Sequence, residues 1–144
     1  MRETTLKIAF VIGLVLIIQS CYSDYPPESV LPNPDYISFN RDVLPILAKS
    51  CGIAQCHDGS KQPDLRADLA YGKVSYAYRD LVIGNPNSTP KWKTYINTTF
   101  PDESSLIAAI LYGVGSLPMP PDGSMPQEDL NLIRAWMLKG APND

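Results

Sequence analysis

The apolar positions of this chain recur mainly at helical spacing. In the segment Arg41–Cys51, the residues Val43, Leu44, Ile46 and Leu47 form adjacent apolar pairs that fall on one face of a helix. A single apolar face is typical of a helix that packs against a core. The segment therefore predicts the first helix of the domain.

Two later segments show the same spacing. Their apolar positions are Leu106, Ile107, Ile110 and Leu111 in the earlier segment, and Leu130, Ile133, Trp136 and Met137 in the later one. The earlier helix opens at Asp102 or Ser104 and ends at Gly113, and the later helix ends at Gly140, because glycine is a common helix stop. Both segments are predicted to be amphipathic helices that bury one face.

A short helix is also indicated between Tyr76 and Ile83. Ser75 is placed to cap its start and Gly84 to end it. No segment shows the alternating pattern of a half-buried strand. The predicted fold class is all-α, with three to five short helices joined by long loops.

The N-terminal residues indicate export. Arg2 and Lys7 precede an apolar run, residues 8–18, that is shorter than the roughly 20 residues a bilayer-spanning helix needs. The run is followed by Ser20 and Cys21, which resembles a bacterial lipobox, where cleavage precedes a cysteine that becomes lipidated. Residues 1–20 are thus predicted to be a lipoprotein signal peptide, with Cys21 as the lipid anchor. An ordinary secretory signal cut nearby and an uncleaved anchor are the alternatives.

The residues after the predicted anchor are rich in proline and lack apolar periodicity. Residues 21–36 are predicted to be a tether, and residues 37–144 the folded domain. The formal net charge of −3 gives no indication of nucleic-acid binding. We expect a location in the bacterial cell envelope, facing the periplasm or the exterior, where free thiols tend to become oxidised.

The chemistry of the chain is concentrated in Cys51, Cys56 and His57. His57 is the only histidine and follows the second cysteine directly. Two cysteines followed by histidine are typical of covalent haem attachment, because each thiol can add across one vinyl group and the imidazole can bind the iron. The usual motif has two residues between the cysteines, whereas this chain has four. The loop residues available to cover such a cofactor are Trp92, Tyr95, Ile96 and Phe100.

A second axial ligand to the iron would have to be something other than histidine. The candidates beyond the signal peptide are Met119, Met125 and Met137. Met119 is favoured because Pro118 and Pro120 restrict the backbone on both sides of it. Met137 lies on an apolar helix face, where core packing is the ordinary role, and Met125 lies at a helix entry. His/Met ligation raises the reduction potential of a haem.

The order of these features resembles the class I monohaem cytochrome c domain in a lipoprotein-anchored form. The resemblance covers residues 37–142: the helix containing Asp42-Val-Leu-Pro-Ile-Leu, then the Cys51…Cys56-His57 motif, Glu103-Ser-Ser-Leu, Leu117-Pro-Met-Pro-Pro and a terminal Ile133-Arg-Ala-Trp helix. It implies the cytochrome c fold, in which the first and last helices cross and loops wrap one covalent haem c.

The resemblance also implies roles for single residues. Cys51 and Cys56 match the thioether positions, His57 the proximal ligand and Met119 the distal ligand. Such a protein carries single electrons between membrane-associated redox partners and is not an enzyme. The four-residue gap between the cysteines departs from the family pattern.

Two other readings of the cysteine pair stay open. A disulfide between Cys51 and Cys56 would staple a small lipoprotein that has a binding or structural role and no haem. A zinc site would use both cysteines and His57, although structural zinc takes four ligands and the sequence offers no second pair.

Overall fold

The computed structural model describes residues 31–70, 72, 74–86, 90–91, 94–113, 117, 119–121, 123 and 125–144. The predicted signal peptide, the lipid anchor Cys21 and most of the predicted tether lie outside these residues. Within the tether, Pro34–Tyr36 forms one 3-10 turn. Residues Leu31–Asp144 cluster as one compact unit. No helix in the described ranges combines the length and apolar character needed to cross a bilayer.

Four α-helices make up most of the regular structure in the described part of the chain. They are α1 (Leu44–Ser50), α2 (Tyr76–Tyr78), α3 (Ser105–Tyr112) and α4 (Gln127–Leu138). The π-helical turns Phe39–Val43 and Arg79–Ile83 adjoin α1 and α2, and a 3-10 turn, Pro101–Glu103, precedes α3. The predicted helices are therefore confirmed, although the first and second combine π and α geometry.

A small antiparallel sheet corrects the all-α prediction. Strand β1 (Leu69–Ala70) pairs with β2 (Val74–Ser75), with Leu69 opposite Ser75 and Ala70 opposite Val74. Strands of two residues are too short to produce a visible alternation of apolar and polar positions. Helix accounts for about 46% of the residues that the structure describes, so it is the main regular structure there, but the fold is not strictly all-α.

The core forms where the first and last helical segments meet. Phe39 packs on Trp136 with ring centroids 5.0 Å apart, and on Tyr78 at 5.1 Å. All four residues on the predicted apolar face of α4 are buried, as expected from their spacing. Aromatic pairs of this kind add about 0.5–1.5 kcal/mol each beyond the burial of their surface. This cluster fixes the turn that precedes α1, and Cys51 follows directly after the last residue of α1.

The end of the chain is bonded to the same first turn. The Asp144 carboxylate accepts hydrogen bonds from the Phe39 N–H at 2.8 Å and from Lys139 Nζ at 2.7 Å. The Asn40 N–H donates to the main-chain oxygen of Asp144 at 3.0 Å. Residues from opposite ends of the domain are thus held together by polar contacts as well as by the core.

Candidate functional site

A cavity of about 730 Å³ lies beside the end of α1. Its wall includes Cys51, Cys56 and His57 from the loop after α1, Leu106, Ala109 and Ile110 from α3, and Leu117, Met119 and Pro121 from the segment that follows. Pockets for cofactors and small ligands usually measure about 300–1,000 Å³ and are mainly apolar with a few polar groups. The cavity has the size and the lining of such a pocket.

The structure brings Cys51, Cys56, His57 and Met119 to the same cavity. The other two candidate methionines are elsewhere: Met125 is 8% exposed and Met137 is 0% exposed, and both belong to the hydrophobic core. The thioether of Met137 also accepts a hydrogen bond from Ser104 Oγ at 3.5 Å. Met119 is the one methionine among the described wall residues.

The imidazole of His57 is oriented by a main-chain carbonyl. His57 Nδ1 lies 2.8 Å from the Pro63 oxygen. Because a carbonyl can only accept, Nδ1 must carry the hydrogen in this contact, and in the neutral ring Nε2 then keeps a free lone pair. A hydrogen bond at one ring nitrogen is the usual way in which a ligating histidine is fixed. His57 is therefore prepared to bind a metal through Nε2.

The loop between the two cysteines projects outward. Ile53, Ala54 and Gln55 are exposed, whereas Cys51 and Cys56 are half-buried. The His57 N–H donates to the Cys51 oxygen at 3.1 Å and so closes the loop. Gln55 has a φ of 68°, in the left-handed region. The extra residues of the four-residue gap are therefore accommodated on the surface, away from the cavity.

Gly52 allows this loop to lie against the chain beyond the histidine. A Cβ atom at Gly52 would come within 2.6 Å of the Leu65 oxygen, which is closer than real Cβ atoms approach. The Leu65 N–H in turn donates to the His57 oxygen at 2.8 Å. The close approach at Gly52 and this hydrogen bond together set the distance between the loop and the chain around Leu65.

The thiol of Cys51 is shielded from water. Burial, with a smaller contribution from the neighbouring Cys56, raises the pKa of the Cys51 thiol to about 11. A thiol with such a pKa is protonated at neutral pH and reacts slowly, because the thiolate is the nucleophile. Both cysteines are free thiols in the structure.

The remaining wall residues are mostly uncharged. Lys61 carries the one charged side chain among the described residues that line the cavity. Tyr95 lies on the wall, as expected of a covering aromatic, whereas Phe100 is largely exposed. Trp92 falls outside the described residues. The cavity therefore combines an apolar surface with a cation near its edge.

Several wall groups could not be found from the sequence. The Pro63 carbonyl is a main-chain group, so no residue type marks it, and Leu65, Ala108 and Ala109 are ordinary core residues by composition. The one local signal in this segment is Pro63, a residue type common in loops. Local patterns identify the side chains of a site better than its main-chain partners.

The described residues contain no group of three or more His, Cys, Asp or Glu side chains that could hold a metal ion. A structural zinc site needs such a group. The described wall of the cavity therefore offers no complete ligand set for structural zinc.

No family model matches the chain, and comparisons with curated proteins and with solved structures likewise return no match.

Proposed function

We propose that this chain is an exported c-type cytochrome that transfers single electrons through one covalent haem with His57 and Met119 as axial ligands. The observation that carries the proposal is the convergence of both cysteines, the single histidine and the proline-flanked methionine on one cavity. Met119 is far from His57 in the sequence, yet both line the same cavity. The other two candidates, Met125 and Met137, are buried in the core. Local sequence spacing does not account for this convergence.

The residues present fit a haem by chemistry and by size. The cavity of about 730 Å³ falls within the usual range for cofactor pockets. Its donor set consists of two thiols, an imidazole with Nδ1 occupied by the Pro63 oxygen, and a thioether. A haem bound here would supply one-electron chemistry at its iron.

The side chains have separate roles in this proposal. Cys51 and Cys56 would hold the haem, each thiol adding its sulfur to one carbon of a vinyl group and its hydrogen to the other, so that no atom is lost. His57 and Met119 would hold the iron in both oxidation states, which would keep the change in geometry small when an electron moves. The apolar wall formed by residues such as Leu106 and Ile110 excludes water, which disfavours the more highly charged ferric state.

Lys61 fits the same proposal. A haem carries two propionate groups, and Lys61 is the one charged wall residue in the described part of the chain. A cation at the edge of an apolar cavity favours an anionic group there over a neutral one. The electrostatic character of the wall is therefore compatible with an amphipathic, anionic cofactor.

The proposed partners are membrane-associated redox proteins that donate and accept the electron. The proposed location, a lipid anchor at Cys21 in the cell envelope, rests on the sequence alone. Radioactive palmitate should label the wild-type protein and not a Cys21→Ser variant, in cells that express either one. Equal labelling of the two proteins would contradict the anchor.

The haem is tested by producing the full chain together with a c-type maturation system. We expect a pyridine haemochrome spectrum of the c type and an intact mass increased by one haem. The Cys51→Ala/Cys56→Ala double variant should be colourless, and Cys21→Ser, which removes a cysteine outside the motif, should stay coloured. A colourless wild-type protein whose mass is lower by two hydrogens would contradict the proposal and support the disulfide-stapled alternative.

A further inference from the structure

A buried carboxylate lies behind the residue that orients His57. Asp80 is 0% exposed, and its carboxylate accepts hydrogen bonds from the Asp64 N–H at 2.7 Å, Arg79 Nε at 2.6 Å and Asn85 Nδ2 at 3.1 Å. Charged side chains are almost never fully buried unless they are paired. The charge of Asp80 is balanced by Arg79, which is only 9% exposed.

This carboxylate holds the segment that contains Pro63. Asp80 binds the segment at the Asp64 N–H, and Asn85 binds it at Gln62, because Asn85 Nδ2 also donates to Gln62 Oε1 at 2.9 Å. Pro63 lies between these two attachments, and its carbonyl accepts the Nδ1 hydrogen of His57. The position of that carbonyl therefore depends on contacts made by Asp80, in the turn Arg79–Ile83, and by Asn85.

The two critical hydrogen bonds share one peptide group. The Pro63 carbonyl and the Asp64 N–H belong to the same planar unit, so fixing the N–H fixes the direction of the carbonyl. A carboxylate that accepts from the N–H also increases the negative charge on the carbonyl oxygen, since linked hydrogen bonds polarise one another. A more negative oxygen is a stronger acceptor for the Nδ1 hydrogen of His57.

We infer that Asp80 is a positioning residue for His57 and acts through the Pro63–Asp64 peptide group. Its carboxylate fixes the orientation of the imidazole and strengthens the hydrogen bond that Nδ1 donates to the Pro63 oxygen, although it does not touch the ring. The role in ligation rests on the proposed function, whereas the orientation of the ring does not. No part of the motif Cys51…Cys56-His57 indicates this dependence, because Asp80 belongs to a different element.

The basicity of the imidazole links Asp80 to the reduction potential. A more basic ligand stabilises ferric iron, and partners that accept from the other ring nitrogen raise ligand basicity. Removing the charge of Asp80 also leaves the buried cation of Arg79 without its partner. Both effects disfavour ferric iron, so an Asp80→Asn variant should have a higher potential than the wild type.

The test uses the full chain uniformly labelled with ¹⁵N, in which His57, as the only histidine, gives a single set of ring signals. The exchange of the His57 Nδ1 hydrogen and of the Asp64 N–H is measured by NMR in the ferrous protein, beside the reduction potential. Asp68→Asn is the matched control: it removes the same charge from an exposed carboxylate whose ion pair, with Arg66, is long at 3.8 Å.

In Asp80→Asn, both hydrogens should exchange about tenfold faster or more, as expected when a hydrogen bond to a charged group is lost, and the potential should rise. In Asp68→Asn, all three readouts should match the wild type. If the Asp64 N–H exchanges faster while the His57 hydrogen and the potential stay unchanged, the inference is overturned, because Asp80 would then support only the local fold.

A second variant covers the case in which Asp80→Asn does not fold. Asn85→Ala removes the other attachment of the segment, at Gln62, and should accelerate exchange of the His57 hydrogen in the same direction. The variant also removes the hydrogen bond that Asn85 donates to the Asp80 carboxylate, so no acceleration in a folded Asn85→Ala protein would contradict the inference. If no haem attaches to the wild type, the proposed function fails, yet exchange of the His57 hydrogen in the colourless protein still decides whether Asp80 positions the ring.

Discussion

Three methionines follow the predicted signal peptide, and their surroundings differ at the scale of single residues. Met119 lies on the cavity wall and is half-buried, whereas Met125 and Met137 are part of the core. A thioether that packs in a core contributes through contact area, and one at a cavity wall is available as a ligand. The preference for Met119 as a ligand rests on its flanking prolines and stays a prediction, with which its place on the cavity wall is compatible.

Replacing Met119 with alanine should remove the proposed distal ligand. The weak far-red band of sulfur–iron ligation should disappear, and the potential should fall by on the order of 0.1 V, because axial ligands set haem potentials over a wide range and thioether raises them. Visible spectroscopy and redox titration measure both changes.

The matched control is Met125→Leu, a swap that conserves volume and usually costs less than about 1.5 kcal/mol. It should retain the band and the potential. If the band survived in Met119→Ala and was lost in Met125→Leu, Met125 would be the ligand and the assignment to Met119 would be wrong.

At the scale of elements, the loop from Cys51 to His57 explains how an irregular motif can still be compatible with one cavity. Its two extra residues are absorbed on the exposed side, near Gln55 with its positive φ. The buried side is fixed by the contact between Gly52 and the Leu65 oxygen. The unusual spacing thus changes the outer face of the loop and leaves both cysteines on the wall.

Gly52→Ala tests this close approach. The added Cβ meets a main-chain oxygen that cannot rotate away, so we expect a loss of about 1–3 kcal/mol in the free energy of unfolding, the usual range for overpacking. Haem attachment per molecule should decrease as the cysteines separate. Denaturant unfolding and the ratio of haem absorbance to protein give the two quantities.

Gly123→Ala provides the comparison, since nothing lies within 4 Å of a Cβ built at Gly123. Its stability and haem content should be close to those of the wild type. Equal behaviour of the two variants would show that the loop can move away from Leu65 at little cost.

The elements also show what local patterns can and cannot predict. The helices were predictable because periodic apolar residues and caps, such as Ser75 before α2, are encoded locally. The two-residue strands were missed because their pairing depends on a turn and on neighbours. The pair Arg79–Asp80 sits beside the apolar residues 81–83, and its burial could not be anticipated from residue type, since charged residues are usually exposed.

At the scale of the whole molecule, two carboxylates bind the first helical turn, and one of them, Asp144, connects that turn to the segment after α4. Asp42 accepts from the Ser38 N–H at 2.8 Å and pairs with Arg41, while Asp144 binds Phe39 and Lys139. The hydrogen bond from Arg41 lowers the pKa of Asp42, and that from Lys139 lowers the pKa of Asp144. Both carboxylates are therefore stabilised in their charged form by the fold.

Because of these lowered pKa values, the stability of the domain should depend on pH in the acidic range. A carboxyl whose folded pKa is below its unfolded value of 3.8 stabilises the fold fully above that value, and the contribution is lost as pH falls through the folded pKa. The melting temperature should thus be nearly constant near neutral pH and fall below about pH 4. Asp144→Asn should melt a few degrees lower at pH 7 and approach the wild type as the pH is lowered, because protonation removes the same interaction.

Circular dichroism melts of both proteins between neutral pH and about pH 3 give the difference directly. Comparing the two proteins cancels the acid effects at every group that they share. Asp35→Asn, at an exposed carboxylate of the Pro34–Tyr36 turn, is the control and should follow the wild type at every pH. If the difference in melting temperature between Asp144→Asn and the wild type stayed constant down to the lowest pH, the charge of Asp144 would not be what stabilises the fold. Asp144 would then contact the first helical turn through packing and its main-chain oxygen.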